Sequence, residues 1–137
     1  MAASAFQRRL ILAGCAAVTI AAGLIWRFAI PGLPWFAWKY GGSALWATMV
    51  YFLIAFVMPR CDWRIILAAA CAVSVGVEFS RLIDVDWLNA FRATLAGKLT
   101  LGAVFSLLNL PAYFAGAAAG AFLDRVLILP RNRSQSR

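Results

Sequence analysis

Cys71-Ala-Val-Ser-Val-Gly-Val-Glu-Phe-Ser-Arg81 lies late in a long apolar run, Ile65–Ile83, yet it carries a carboxylate, Glu78, and a guanidinium, Arg81. At 100° per residue, Ser74, Glu78 and Arg81 fall within about 60° of one another on a helix. A run this long and this apolar reads as a membrane span, which places an acid and a base on one face close to the lipid boundary. Ionisable groups are costly there and face a partner or a wet cavity, so the pair is a functional-site hypothesis.

The composition agrees with a membrane reading. Of 137 residues, 64% are hydrophobic and only 13% charged, and there is no histidine. Ordinary soluble domains are about a quarter charged. Four apolar runs near spanning length leave too little polar sequence for a soluble domain, so a single transmembrane domain is expected over 10–129. The net charge of +8 comes from thirteen Lys/Arg against five Asp/Glu. These bases flank apolar runs instead of alternating with aromatics, which fits the positive-inside rule and anionic headgroups and argues against nucleic acid as a partner. Cys15, Cys61 and Cys71 have no CxxC spacing and no histidine to join them. No metal site or disulfide framework is expected, and the cysteines read as small apolar residues.

Outward from Ile65–Ile83, the pattern predicts four spans, over 10–30, 43–58, 65–83 and 109–129. Residues 1–9 read as a cytoplasmic N-terminus ending in Arg8-Arg9. Leu12-Ala-Gly-Cys15 resembles a lipoprotein cleavage box, but the apolar stretch before it is too short for a signal peptide, so a retained helix is expected. Arg27 closes the first span. Pro31-Gly-Leu-Pro34 then breaks the helix, and Trp35, Phe36, Trp38 and Tyr40 form an aromatic belt. Gly41-Gly42-Ser43 reads as a second break. Pro59–Arg64 reads as a tight loop between antiparallel helices.

After the third span, Asp86 is positioned to cap an interfacial amphipathic helix over 86–96. Trp87, Leu88, Phe91 and Leu95 lie on one face, with Asn89, Arg92 and Ala96 on the other. Gly97 and Gly102 break the segment after that helix, and Leu99–Leu108 is either re-entrant or an early part of the next helix. Asn109 and Pro111 are start signals for the last span. Along that span Asn109, Tyr113, Gly116, Gly120 and Asp124 share a face, with Gly116 and Gly120 a small-xxx-small packing pair. Pro130–Arg137 reads as a disordered basic tail. The fold class is therefore an all-α integral membrane protein, a four-transmembrane-helix bundle with its N- and C-termini inside. That orientation puts Arg8, Arg9, Arg60, Arg64, Arg125, Arg131, Arg133 and Arg137 in the cytoplasm. Arg27, Lys39, Arg81, Arg92 and Lys98 gather outside.

Several pieces stand in a familiar order: Trp46-Ala-Thr-Met-Val-Tyr51, Pro59-Arg60, Val77-Glu-Phe-Ser80, Trp87-Leu-Asn-Ala-Phe-Arg92-Ala-Thr94, Gly97, and Tyr113-x-x-Gly116-x-x-x-Gly120-x-x-x-Asp124. Together they resemble a family of small bacterial inner-membrane proteins known as domain of unknown function 2809, over roughly residues 24–125. The resemblance implies about four transmembrane helices and a bacterial inner membrane, and no established activity, substrate or cofactor. A fainter likeness to VanZ-like proteins rests on few positions and carries no residue over. The family pattern tends to an acid at Ser43, a glutamine at Arg81 and an acid at Asn109. All three departures shift charge in the positive direction, which argues against an inherited cation- or proton-linked role.

The expected site is an outward mouth lined by Arg27, Glu78, Arg81, Arg92, Asn109 and Tyr113. Helix N-termini and arginines both attract anions, so the first reading is a module that binds an anionic lipid headgroup or a lipid-linked envelope precursor. A small homodimeric transporter using Glu78 is one alternative, and a structural partner of an envelope complex is another. No nucleophile stands beside a plausible base, and no phosphate-cradling loop is present, so an enzyme is not expected. Membrane lipids, a second copy or an envelope protein are the expected partners, and no cofactor is.

Overall fold

Helix ends here are set by short polar punctuation, and the computed structural model, which describes residues 4–102 and 105–128, shows where each signal acts. Ser4 and Gln7 form a reciprocal capping box, so α1 (Ala5–Phe28) begins five residues before the expected Leu10. Arg8 and Arg9 thus lie inside the first helix instead of preceding it. The second helix, α2 (Trp35–Val57), starts directly after Pro34 and runs through Gly41-Gly42-Ser43 without a break. The expected interruption fails for a packing reason: a Cβ at Gly41 would stand 2.6 Å from the Trp26 ring. Glycine there lets α1 and α2 close at their shared end, which offsets its roughly 1 kcal/mol helix penalty. The Trp26 indole also donates to the Ala37 carbonyl at 3.2 Å.

Asp62 accepts from the Arg64 N–H at 2.8 Å and caps α3 (Trp63–Ser80), which stops short of the expected Ile83. The interfacial segment divides in two. Its first part, α4 (Asp86–Ala93), ends at Thr94, whose hydroxyl caps α5 (Leu95–Thr100) by accepting from Gly97 N–H at 3.1 Å. Gly97 does not break the chain; it permits this fold-back, since a Cβ would fall 1.9 Å from the Phe91 carbonyl oxygen. Gly102, at φ +67°, turns the chain through the left-handed region. The last helix, α6 (Asn109–Leu123), begins at the expected residue and continues as a π-helical turn, Asp124–Ile128. The predicted tail, 130–137, lies outside the described residues.

Among the described residues there is no strand. Three helices, α1, α2 and α3, are long and apolar enough to cross a membrane. Two short hinges, at 29–34 and 58–62, join α1 to α2 and α2 to α3, and α2 packs against α1, α3 and α6. The buried set favours small residues: Ala16, Ala47, Ala55, Ala70, Ala117 and Ala121 beside Leu12, Ile66, Tyr51 and Tyr113. Large apolar side chains such as Leu10, Val18, Leu53, Ile65, Val73 and Phe122 point outward. Small inside and large outside is the pattern of helices that associate within lipid, where apolar burial does not drive association. Gly116 carries the closest approach: a Cβ there would lie 2.0 Å from the Ala44 carbonyl oxygen of α2, and at Gly120 one would lie 3.0 Å from Tyr51. The small-xxx-small face is thus used within one chain, between α6 and α2.

Candidate functional site

Where α3 ends and α6 begins, Glu78 is fully buried. Its carboxylate accepts from four donor groups: the Ser106 N–H at 2.6 Å, the Asn109 amide at 3.2 and 3.3 Å, the Tyr113 hydroxyl at 2.8 Å and Arg81 Nη1 at 2.8 Å. The helix supplies the Arg81 contact by itself through i,i+3 spacing. Asn109 and Tyr113 arrive from the first turns of α6, four residues apart on one face. Arg81 then reaches past Glu78, donating through Nη2 to the Tyr113 hydroxyl at 3.1 Å and through Nε to the Leu101 carbonyl at 2.5 Å. Gly102 leaves room for this guanidinium, since a Cβ there would come within 2.7 Å of it.

The cluster therefore grips the connecting segment at two backbone points, Leu101 and Ser106, and ties it to α3. Both oxygens of this buried carboxylate accept, and the guanidinium beside it donates to Glu78, Tyr113 and Leu101. Chemically it is a lock on the chain, with Glu78 met by four donor groups of the protein itself. Asn109 does not cap α6 as expected. Its side chain instead turns into the cluster, and its Oδ1 lies 3.4 Å from the Ser43 hydroxyl of α2.

The other expected members of the mouth stand elsewhere. Arg92 is buried, and it donates to the Ile83 carbonyl at 2.9 Å, to the Ser80 carbonyl and to Asn89. The last carbonyls of a helix have no partner of their own, and Arg92 supplies it for α3. It holds α4 beneath the end of α3, while Trp87, Phe91 and Leu95 face outward. Arg27 sits on the α1–α2 corner, exposed, with its guanidinium 5.1 Å from the Trp38 ring centre. Neither residue touches Glu78 through a hydrogen bond or ion pair among the described residues.

The family-model comparison matches residues 32–117 with the family described as "Protein of unknown function (DUF2809)". The chain belongs to the DUF2809 family. The match takes in every member of the Glu78 cluster and the whole of α2, and leaves out α1 and the end of α6. No solved structure matches the DUF2809 chain.

A second buried cluster, missed by sequence reasoning, joins Arg8 and Asp124, both outside the matched segment, to Tyr51 within it. Asp124, fully buried, pairs with Arg8 Nη2 at 3.0 Å and accepts from the Tyr51 hydroxyl at 2.8 Å. An acid inside an apolar run is its signal, but Arg8 reads from sequence as part of the polar N-terminus.

Proposed function

We propose that this DUF2809 protein is a four-span protein of the bacterial inner membrane with both ends in the cytoplasm. We propose further that it serves as a binding module for an anionic headgroup, that of a lipid or a lipid-linked envelope precursor, at its outer end. The fourth crossing is α6 with its π-helical turn, 15 and 5 residues, 20 in all. At 1.5 Å per residue that is about 30 Å, the depth of a hydrocarbon core. The orientation rests on the sequence count of eight Lys/Arg on the inner side against five on the outer, and three of the eight, Arg131, Arg133 and Arg137, lie outside the described residues.

One observation carries the ligand reading. The first turn of α2 has no side-chain cap, and it lies between two aromatic-stacked bases. Arg27 stands 5.1 Å from the Trp38 ring and Lys39 5.0 Å from the Trp35 ring. Free N–H groups at a helix start, with cations fixed on indoles beside them, form an anion-receiving surface. The headgroup site therefore sits on the α1–α2 corner and not over Glu78, whose charge is met internally. The transporter alternative has less behind it, because its acid is occupied by four donors and its packing glycines are spent on α2.

The test is retention of phosphatidylglycerol by the purified protein. Arg27→Gln/Lys39→Gln is expected to weaken it about fivefold for each base removed, the worth of a basic residue near an anionic surface. Arg92→Gln, which removes only a helix cap, is expected to leave it unchanged. Equal retention by wild type and the double variant overturns the proposal.

A further inference from the structure

Two hollows mark the bundle's outer wall at depth. One, of about 320 Å³, lies among Ile11, Cys15, Val18 and Phe52 and has no charged side chain in its lining. The other, of about 470 Å³, is a groove between α3 and α6, floored by Leu67, Ala118 and Ala121 and walled by Phe122. Trp63 and Arg125 close it at the end nearest the α2–α3 loop.

That end has unusual electrostatics. The Arg125 guanidinium lies 4.5 Å from the Trp63 ring centre and the Arg64 guanidinium 5.4 Å from the same ring. Arg60 is exposed on the adjoining loop. Among the described residues neither Arg64 nor Arg125 forms an ion pair, and Asp62 spends a carboxylate oxygen on the Arg64 backbone N–H. Two cations gathered on one indole repel each other unless an anion joins them. A stacked guanidinium keeps its in-plane N–H fork available for that anion.

We propose that the α3–α6 groove is a binding site for one anionic phospholipid, with its phosphate between Arg64 and Arg125 and an acyl chain along Leu67, Ala118 and Ala121. From Arg125 back to Ala118 is seven residues, about 10 Å of helix, so the groove takes the upper part of a chain. Charge decides against a second copy as the occupant. A symmetric dimer through this groove would set the same basic rim against itself. The site is separate from the α1–α2 corner, at the opposite end of the bundle, and stands whether or not that corner binds a headgroup.

The experiment is native mass spectrometry of the full chain, titrated with phosphatidylglycerol and with phosphatidylcholine as the zwitterionic reference. It is run in the Arg27→Gln/Lys39→Gln background so that the other end is silent. Phosphatidylglycerol is expected to bind at least tenfold more tightly, and Arg64→Gln/Arg125→Gln to lower its affinity about thirtyfold, roughly fivefold for each base. Ala118→Leu fills the groove without changing charge and is expected to weaken phosphatidylglycerol severalfold. Arg9→Gln removes a base at the same end that lies over Phe56 instead, and is expected to change little. Absence of a phosphatidylglycerol preference overturns the proposal, as does a loss in Arg9→Gln equal to that of the double variant. So does unchanged binding in Ala118→Leu, or a dimer that this substitution dissolves.

Discussion

Glu78→Gln isolates charge from shape in the buried cluster. Glutamine keeps the volume and one carbonyl oxygen for the Ser106 N–H, while Arg81 loses its counter-ion. The Arg81 side chain is only 12% exposed and Glu78 is fully buried, so solvent screens the pair weakly. Two charges about 4 Å apart at an effective dielectric near 20 interact by about 4 kcal/mol. Breaking one side of a buried pair costs about 3–5 kcal/mol by mutational precedent, and the two routes agree. Arg81→Met should cost somewhat less, about 2–3 kcal/mol, because Ser106, Asn109 and Tyr113 still serve the carboxylate. The double variant, Glu78→Gln/Arg81→Met, removes both charges and is expected to be no worse than Glu78→Gln alone. A double-mutant cycle then returns a coupling of about 2–3 kcal/mol. The measurement is equilibrium unfolding by SDS in mixed micelles, with circular dichroism and tryptophan fluorescence required to give one transition. Additive single effects, with coupling below about 0.5 kcal/mol, would refute the charge-pair account and leave the cluster as ordinary hydrogen bonding.

The glycines should sort by what a Cβ would meet. Gly116→Ala drives a methyl into the Ala44 carbonyl and is expected to cost about 3 kcal/mol; Gly120→Ala, which presses only on the Tyr51 side chain, should cost about 1 kcal/mol, and Gly14→Ala, with nothing within 4 Å, should be neutral within about 0.5 kcal/mol. The same SDS titration checks all three. At the other end of α6, Asp124→Asn strands Arg8, which is 5% exposed, and is expected to cost about 3 kcal/mol. Arg8→Met added to Asp124→Asn should recover most of that loss, since the stranded charge goes with it.

How much of the molecule is legible in its sequence depends on the range of the forces involved. Hydropathy marks the three long helices α1, α2 and α3, and i,i+3 spacing marks the Glu78–Arg81 pair, because both are local. The face of α6 shared by Asn109, Tyr113, Gly116, Gly120 and Asp124 is also readable, though the elements it meets are not. Contacts between α6 and α3 or α2 depend on how helices cross, and no single-helix pattern encodes that. Gly41-Gly42 reads falsely as a break because the stabilising contact, with the Trp26 ring, comes from a different helix. Arg92 is expected over Glu78, but its use on the α3 carbonyls depends on the turn at 81–85 folding α4 back. Arg8 is a different case. Ser4-x-x-Gln7 is a visible capping signal, and it alone is enough to move the start of α1 ahead of Arg8.

The polar clusters bear on a problem specific to this kind of bundle. Helices in lipid gain little from burying apolar surface against one another, so an apolar α6 could slide along α2 and α3 at small cost. Here a slide of one turn, about 5.4 Å, would undo three things together. Asn109 and Tyr113 would leave Glu78, Asp124 would leave Arg8 and Tyr51, and Gly116 would leave the Ala44 carbonyl, its place taken by the methyl of Ala112 in one direction and by Gly120 in the other. The Thr48 hydroxyl, which donates to the Gly116 carbonyl at 2.7 Å, would lose its partner as well. Buried ion pairs add little net stability, but one at each end of a helix makes a register error expensive. That division of labour gives so polar a pair of clusters a use in so apolar a chain: they fix the register of α6 along its neighbours, and the small residues between them fix its distance.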